Sequence, residues 1–331
     1  MNQLPRPLPL DSALSEEHRE EFARRLGPDR FETRMHKQSG VRARTAHQGA
    51  GIFFMERFIP LDACIEAVIR FTGMYPRGSR NYRDVRIVTN EVKSPRIPAE
   101  FDGFRLLQIS DLHGDLDTAL TPIVMEYLRT TEYDYAVFTG DYHNRIGECY
   151  ERSLEEIKKI LPLIAGRACG ILGNHDFLEK VPVFENDGME ILLNENKILK
   201  RGAAQIAVCG IDDPQFFRTH DLVAARRGVD AETFSILLSH SPKPYQQAAD
   251  LGYDLMLCGH THGGQICLPG RIPVIRNTRC PRYMLAGPWH YKNVKGYTSR
   301  GTGGGGVAVR FNCPPEITVH VLRHKRKHPE K

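Results

Sequence analysis

Missing from this sequence is any apolar run near the roughly 20 residues needed to cross a bilayer. Residues 1–10 alternate proline with leucine and lack the continuous apolar core of a secretory signal. The eight cysteines form no C-x-x-C pair and no compact disulfide framework. Cys169, Cys209 and Cys258 lie within or at the end of apolar runs, so reduced, buried thiols in a cytoplasmic protein are expected. Also missing is a basic central region. The formal charge is +5 overall, yet residues 101–322 hold 23 Lys/Arg against 26 Asp/Glu. The excess sits in residues 1–100 (17 against 13) and in the tail 323–331 (five against one). A nucleic-acid groove would make the working region itself basic, so nucleic acid is not the expected partner. Basic ends suit an anionic membrane surface or plain solvation. What is present is ordinary for a globular protein: 331 residues, 41% hydrophobic and 26% charged, enough for a large α/β domain with an extension.

Along the chain, residues 1–84 read as an N-terminal extension, partly disordered, with a short helix over 15–26 and an amphipathic helix near 60–73. In the second, Pro60 stands at the first helical position and Gly73 at the terminator. Leu61, Cys64, Ile65, Val68 and Ile69 repeat at helical spacing, and Asp62, Glu66 and Arg70 mark another face. Arg77, Arg80, Arg83 and Arg86 follow. Such a helix can lie in a bilayer interface or pack on the rest of the protein. From 85 to 322 the pattern is α/β. Strands are expected over 85–89, 104–110, 135–139, 168–172, 205–209, 234–239 and 255–258, with helices over 118–130 and 153–164. The alternation predicts crossover connections and a largely parallel central sheet. Shorter strands, 307–311 and 317–322, close this region, and 323–331 form the basic tail.

Ligands of such sheets gather beyond the carboxyl ends of the strands. The residues found there are Asp111-Leu112-His113, Gly140-Asp141, Gly173-Asn174-His175-Asp176, His240, and Gly259-His260-Thr261-His262-Gly263-Gly264. His260 and His262 would share a face on extended backbone, and the glycines around them let the chain turn. Singly, each fragment has an ordinary reading as a turn, a helix cap or a chance pair. Five strand ends delivering Asp, His and Asn together point to a metal site.

In this order the five blocks resemble the calcineurin-like metallophosphoesterase family, over roughly residues 100–322. The resemblance implies a four-layer αββα sandwich, two sheets flanked by helices, with two metal ions at the strand ends. By position it implies that Asp111, His113 and His262 hold one metal, that Asn174, His240 and His260 hold the other, and that Asp141 bridges them. The ions would be divalent transition metals, manganese first, with iron or zinc also compatible with these donors. A phosphoric ester hydrolase is implied, in which paired ions clamp an in-line displacement by a water held between them. His175 would protonate the leaving oxygen, with Asp176 orienting its ring. Asn144 stands where many relatives have an acidic residue, and Asp115 where many have a neutral one.

Segments 101–105, 259–270, 297–301 and 310–317 are similar to a bacterial membrane-associated branch that includes hydrolases of UDP-2,3-diacylglucosamine. That implies a lipid-linked phosphodiester or pyrophosphate substrate, a cytoplasmic place on the inner-membrane surface, and no obligate protein partner. A general phosphodiesterase, a nuclease and a metal-free protein-binding scaffold are the alternatives. Residues 301–306 satisfy G-x-G-x-x-G, but a dinucleotide fingerprint opens a helix and a strand is expected here, so they read as a loop near the site. Arg300 and Arg310 are candidates either for phosphate contact or for surface salt bridges.

Overall fold

The central strands are apolar on both faces because both faces are covered. In the computed structural model, which describes residues 14–47, 61–147 and 150–325, twelve strands form two six-stranded sheets. In chain order the strands are β1 (Arg86–Ser94), β2 (Arg105–Ile109), β3 (Tyr135–Phe138), β4 (Ala168–Gly170), β5 (Glu190–Ile191), β6 (Glu195–Arg201), β7 (Ala204–Gly210), β8 (Phe234–Ser239) and β9 (Leu255–Cys258). A small hairpin, β10 (Cys267–Leu268) with β11 (Ile272–Pro273), precedes β12 (Gly287–Tyr291), β13 (Val294–Thr298) and β14 (Glu316–His324). One sheet runs β1-β14-β2-β3-β4-β5, the other β12-β13-β9-β8-β7-β6. Strands β2 to β5 are parallel, as are β7, β8, β9 and β13, while β14 against β2, β6 against β7 and β12 against β13 are antiparallel.

This corrects the expectation of one largely parallel sheet. Alternating residues divide between layers. Leu106, Val137, Ile236, Leu238, Leu255 and Leu257 meet between the sheets. Leu107, Ile109, Ala136 and Phe138 face the helices of the first sheet, and Leu237, Met256 and Cys258 the outer layer of the second. Helix, sheet, sheet and helix stack as the four layers of an αββα sandwich.

The helices are α1 (Glu16–Leu26), α2 (Pro28–His47), α3 (Leu61–Phe71), α4 (Tyr75–Arg83), α5 (Leu120–Thr130) and α6 (Glu151–Ile164), followed by shorter ones. Ser15 caps α1, its hydroxyl accepting from His18 N at 3.2 Å. Phe22, Leu26 and Phe31 of α1 and α2 are buried in the same core as Leu120, Ile157 and Leu161. The sequence pattern did not predict α2. On α3, Ile69 is buried and Ile65 half-buried against Val307, Val309 and Phe311, while Val68 is 62% and Phe71 94% exposed. The helix therefore packs on the domain and still shows an apolar outer face.

Residues 307–311 are not a strand. Phe311 makes one isolated bridge to Ile266, and the Gln265 side-chain amide donates to the carbonyls of Val307 (2.8 Å) and Val309 (3.2 Å). The disorder expected within 1–84, Pro60 as a first helical residue and most of the basic tail fall outside the described residues. No helix among the described residues is long and apolar enough to cross a membrane.

Candidate active site

Five of the polar residues at the strand ends have left-handed backbone: Asp111 (φ 51°), His113 (42°), Asp141 (57°), His260 (68°) and His262 (49°). That conformation costs a non-glycine residue about 1–2 kcal/mol, and it persists where the surroundings enforce it. Hydrogen bonds between strand ends do so here. Asp111 N donates to Gly140 O at 2.9 Å, His113 N to Asp141 O at 3.1 Å, and His260 N to the Asp111 carboxylate at 3.0 Å.

Two buried trios result. The ligand atoms of Asp111, His113 and His262 lie within 4.8 Å of one another, and so do those of Asp141, His240 and His260. His113 stacks on His262 at 5.2 Å, and His240 meets His260 edge-on at 5.1 Å. Asp141 Oδ2 is 3.1 Å from His240 Nε2 and 3.8 Å from His113 Nε2, so it reaches both groups. Asn174 Oδ1, 3.0 Å from His240 Nε2, joins the second. All seven residues expected from the sequence are brought together.

The trios fit divalent ions. His113 Nε2 and His260 Nε2 are buried without a hydrogen-bond partner, a costly arrangement unless a ligand completes it. His113 Nδ1 faces the His143 carbonyl and His240 Nδ1 the Thr139 carbonyl, each at 2.7 Å, which leaves the other ring nitrogen for the site. Burial pushes His113 down to about 4 and His260 to about 3, and drives His262 well below its usual range. All three are neutral near pH 7, as a metal ligand must be. Burial, with the Asp141 charge adding to it, pushes Asp111 up to about 7. Burial opposes both partners of the central pair. Even so, Asp141 raises His240 to about 10, and His240 and His175 hold Asp141 well below the usual carboxylate range. Buried carboxylates that depend on an imidazolium proton mark a place short of positive charge, which a bound cation would supply.

Comparison with known proteins agrees. The profile of the calcineurin-like phosphoesterase family matches residues 104–264. The phosphodiesterase YaeI of Escherichia coli is 31% identical over 234 residues, which cover 66% of this chain and 82% of the relative. The metallophosphoesterase YkuE of Bacillus subtilis is 30% identical over 254 residues, covering 72% and 86%. A second Bacillus subtilis metallophosphoesterase, YkoQ, is 27% identical over 271 residues, covering 77% and 97%. The chain belongs to the calcineurin-like metallophosphoesterase family. It is a phosphoric ester hydrolase, and the two trios are the candidate dinuclear divalent-metal site of this metallophosphoesterase.

The metallophosphoesterase departs from the sequence reading at Asp176. His175 is open to the cavity, its Nε2 3.9 Å from Asp141 Oδ2, and its Nδ1 has no hydrogen-bond partner. Asp176 therefore does not orient that ring. Its fully buried carboxylate accepts from the N–H groups of Asp141 (2.8 Å), Gly173 (2.9 Å) and Tyr142 (3.2 Å) and pairs with Lys180 at 2.7 Å. The Lys180 ammonium holds it below the usual carboxylate range although burial works the other way. Asp176 is a positioning residue, the anchor of two site loops.

Other site residues were not legible from local pattern. Arg34 of α2, fully buried, pairs with Asp212 at 3.1 Å and donates to the Asp176 carbonyl at 2.7 Å. Its neighbour Gln38 accepts from Leu178 N at 3.1 Å, so α2 braces the loop that carries His175. Arg310 is fully buried and donates to the carbonyls of Gly303 (3.0 Å), His262 (3.2 Å), Cys313 (3.2 Å) and Arg300 (2.6 Å). It is neither a phosphate contact nor a surface salt bridge, whereas Arg300 pairs with Glu316. The glycine-rich loop lies against the first trio, with Gly303 N donating to Asp111 O at 2.9 Å. A Cβ on Gly303 would meet the Leu112 carbonyl oxygen at 2.2 Å. No helix follows this loop, so the dinucleotide motif is a coincidence. Both departures from the family pattern bear on the same region. Asn144 accepts from Gly306 N at 2.9 Å, and Asp115 accepts from Asn144 N at 2.9 Å.

A cavity of about 600 Å³ opens over both trios. Asn144, His175 and Asn277 give it polar edges, and Ile65, Val68 and Ile69 of α3 with Ile266, Val274 and Ile275 give it an apolar wall.

Proposed function

We propose that this metallophosphoesterase hydrolyses a phosphodiester or pyrophosphate bond in an amphiphilic, lipid-linked substrate taken from an anionic membrane surface. The apolar wall carries the reading. A small polar diester gains nothing from it, whereas a hydrocarbon chain that buries about 100 Å² there gains about 2.5 kcal/mol. Large apolar side chains continue outward from that wall: Val68 (62% exposed), Phe71 (94%), Val274 (57%) and Ile275 (45%). Apolar groups gathered at a cavity mouth suit contact with a lipid interface. Exposed Arg77 and Arg80 on the following helix favour an anionic one.

In this reading Asp111, His113 and His262 would hold one ion, Asn174, His240 and His260 the other, and Asp141 both. Manganese is the metal we favour, since carboxylate and amide oxygens stand beside the imidazoles. When bound, the two ions polarise the phosphoryl group and lower the pKa of water. The chain's own work is separate. His175, at the open side of Asp141, delivers a proton to the leaving oxygen. Asp176, Lys180 and Arg34 keep the His175 loop at its distance from Asp141.

A hydrolysis panel with Mn²⁺ tests this: bis(4-nitrophenyl) phosphate, a phospholipid and its deacylated headgroup ester, UDP-2,3-diacylglucosamine, and single-stranded DNA. An acylated substrate should exceed its deacylated form by roughly 30-fold or more in kcat/KM. Equal rates for the two, or a preference for DNA, would sink the lipid reading.

A further inference from the structure

At the Asn277 edge of the cavity three loops are stitched together. Asn277 donates to the His260 carbonyl at 2.7 Å and receives Gln215 Nε2 on its own carbonyl at 3.2 Å. Thr278 Oγ1 lies 3.4 Å from Ser241 Oγ and 3.5 Å from Gln215 Oε1. Ser241 follows His240, and its hydroxyl accepts from Lys243 N at 3.3 Å. These loops carry Arg218, Lys243 and Arg279, and the charge of Asp213 reaches both Lys243 and His240 of the second trio. Lys37 of α2 joins them, its ammonium donating to the carbonyls of Phe216 (3.2 Å) and Phe217.

The elements joined at this edge thus carry four cations, and none of them forms an ion pair with a carboxylate among the described residues. Asp213, whose charge reaches Lys37 and Lys243, spends its buried oxygens on the N–H groups of Gln215 (2.8 Å), Phe216 (2.6 Å) and Phe217 (2.7 Å). Burial and the Arg218 charge lower both Lys37 and Lys243. Arg218 itself has left-handed backbone, φ 59°. An ordinary surface cation swings away from like charge or finds an acid within reach. Here strain and repulsion are retained next to a phosphoester site, as they are where an anion is to be bound.

We propose that Arg218, Lys243, Arg279 and Lys37 form a second anion subsite, which takes a further phosphate group on the polar half of the substrate. The inference rests on the reading that the trios receive the scissile phosphodiester. The ligand class is a diester that carries a second phosphate, either within a pyrophosphate or on its headgroup.

The test uses the full chain loaded with Mn²⁺, in the His175→Ala background so that the probes survive, with calorimetric affinities for four ligands. These are phosphatidylinositol and phosphatidylinositol 4-phosphate in micelles, and their deacylated counterparts glycerophosphoinositol and glycerophosphoinositol 4-phosphate. The 4-phosphate should tighten binding at least about tenfold in both pairs, from the usual strength of charge-assisted hydrogen bonds. Arg218→Gln with Lys243→Gln should shrink that ratio to within about twofold, with an unchanged melting temperature. A ratio near one, a ratio that survives the double substitution because the metals take the extra phosphate, or no binding of any probe would overturn the subsite. Acyl chains that add nothing while the ratio holds would remove the lipid reading and leave the subsite standing.

Discussion

Replacing Asp176 by asparagine separates the two roles this residue could have. The amide keeps one oxygen, enough for Asp141 N and Gly173 N at 2.8 and 2.9 Å, but its NH₂ then faces Tyr142 N and the Lys180 ammonium. Lys180 is fully buried, so its charge is stranded. Breaking a buried pair from one side costs about 3–5 kcal/mol, a large share of the roughly 5–15 kcal/mol of a typical fold. At about 2 °C per kcal/mol for a chain of this size, the melting temperature should fall by about 5–10 °C. Metal content should fall with it, because Asp176 holds the backbone on which Asp141 stands. Adding Lys180→Met removes the stranded charge and should return at least about half of the loss, as apolar replacement of buried pairs does. Thermal denaturation and metal analysis of the three chains read this directly. A variant that melts within about 1 °C of the parent, keeps its metal and loses only turnover would refute the reasoning and restore Asp176 to the proton chemistry of His175.

His175→Ala should retain both metals and lose about 10²–10⁴ in kcat, the usual contribution of a general acid; unchanged turnover would remove His175 from the mechanism. Chelation should abolish activity and lower the melting temperature by several degrees, both restored by Mn²⁺, because ligands that bind only the folded state stabilise it. A melt indifferent to chelator would mean that the trios are not the metal site. Gly303→Ala forces a Cβ to within 2.2 Å of the Leu112 carbonyl oxygen, a backbone atom that cannot swing aside, and should cost more than about 2 kcal/mol with a loss of bound metal. The control Gly202→Ala, with nothing within 4 Å and φ 61°, should cost only about 1 kcal/mol by denaturant titration.

Much of the site was legible because burial on both faces makes these strands plain apolar runs. Against such runs the polar residues that end them stand out: Asp111 after Ile109 and Ser110, Asp141 after Phe138, His260 after Cys258. Other features depend on partners far along the chain. Whether β3 and β8 share a sheet is set by pairing register, and the same apolar pattern serves either answer. Val307, Val309 and Phe311 alternate like a strand, yet their apolar groups face α3 while Gln265 takes two of the carbonyls. The long, polar α2 carries no strong apolar stripe, and its importance lies in Arg34 and Gln38 reaching the His175 loop.

By itself the sequence determined the fold class, the order of the five blocks and the identity of the donors, since local periodicity and residue chemistry are local facts. Residue chemistry and periodicity alone did not say how they divide; the family resemblance implied the division, and the tertiary structure shows what produces it. His260 and His262 are neighbours in sequence, but one meets His240 and the other His113. Asp176 is adjacent to His175 in the chain, yet it serves the backbone beneath. The reason is physical: left-handed turns at Asp111, Asp141, His260 and His262 redirect the side chains, and hydrogen bonds between strand ends more than a hundred residues apart hold such turns, as between His260 N and Asp111.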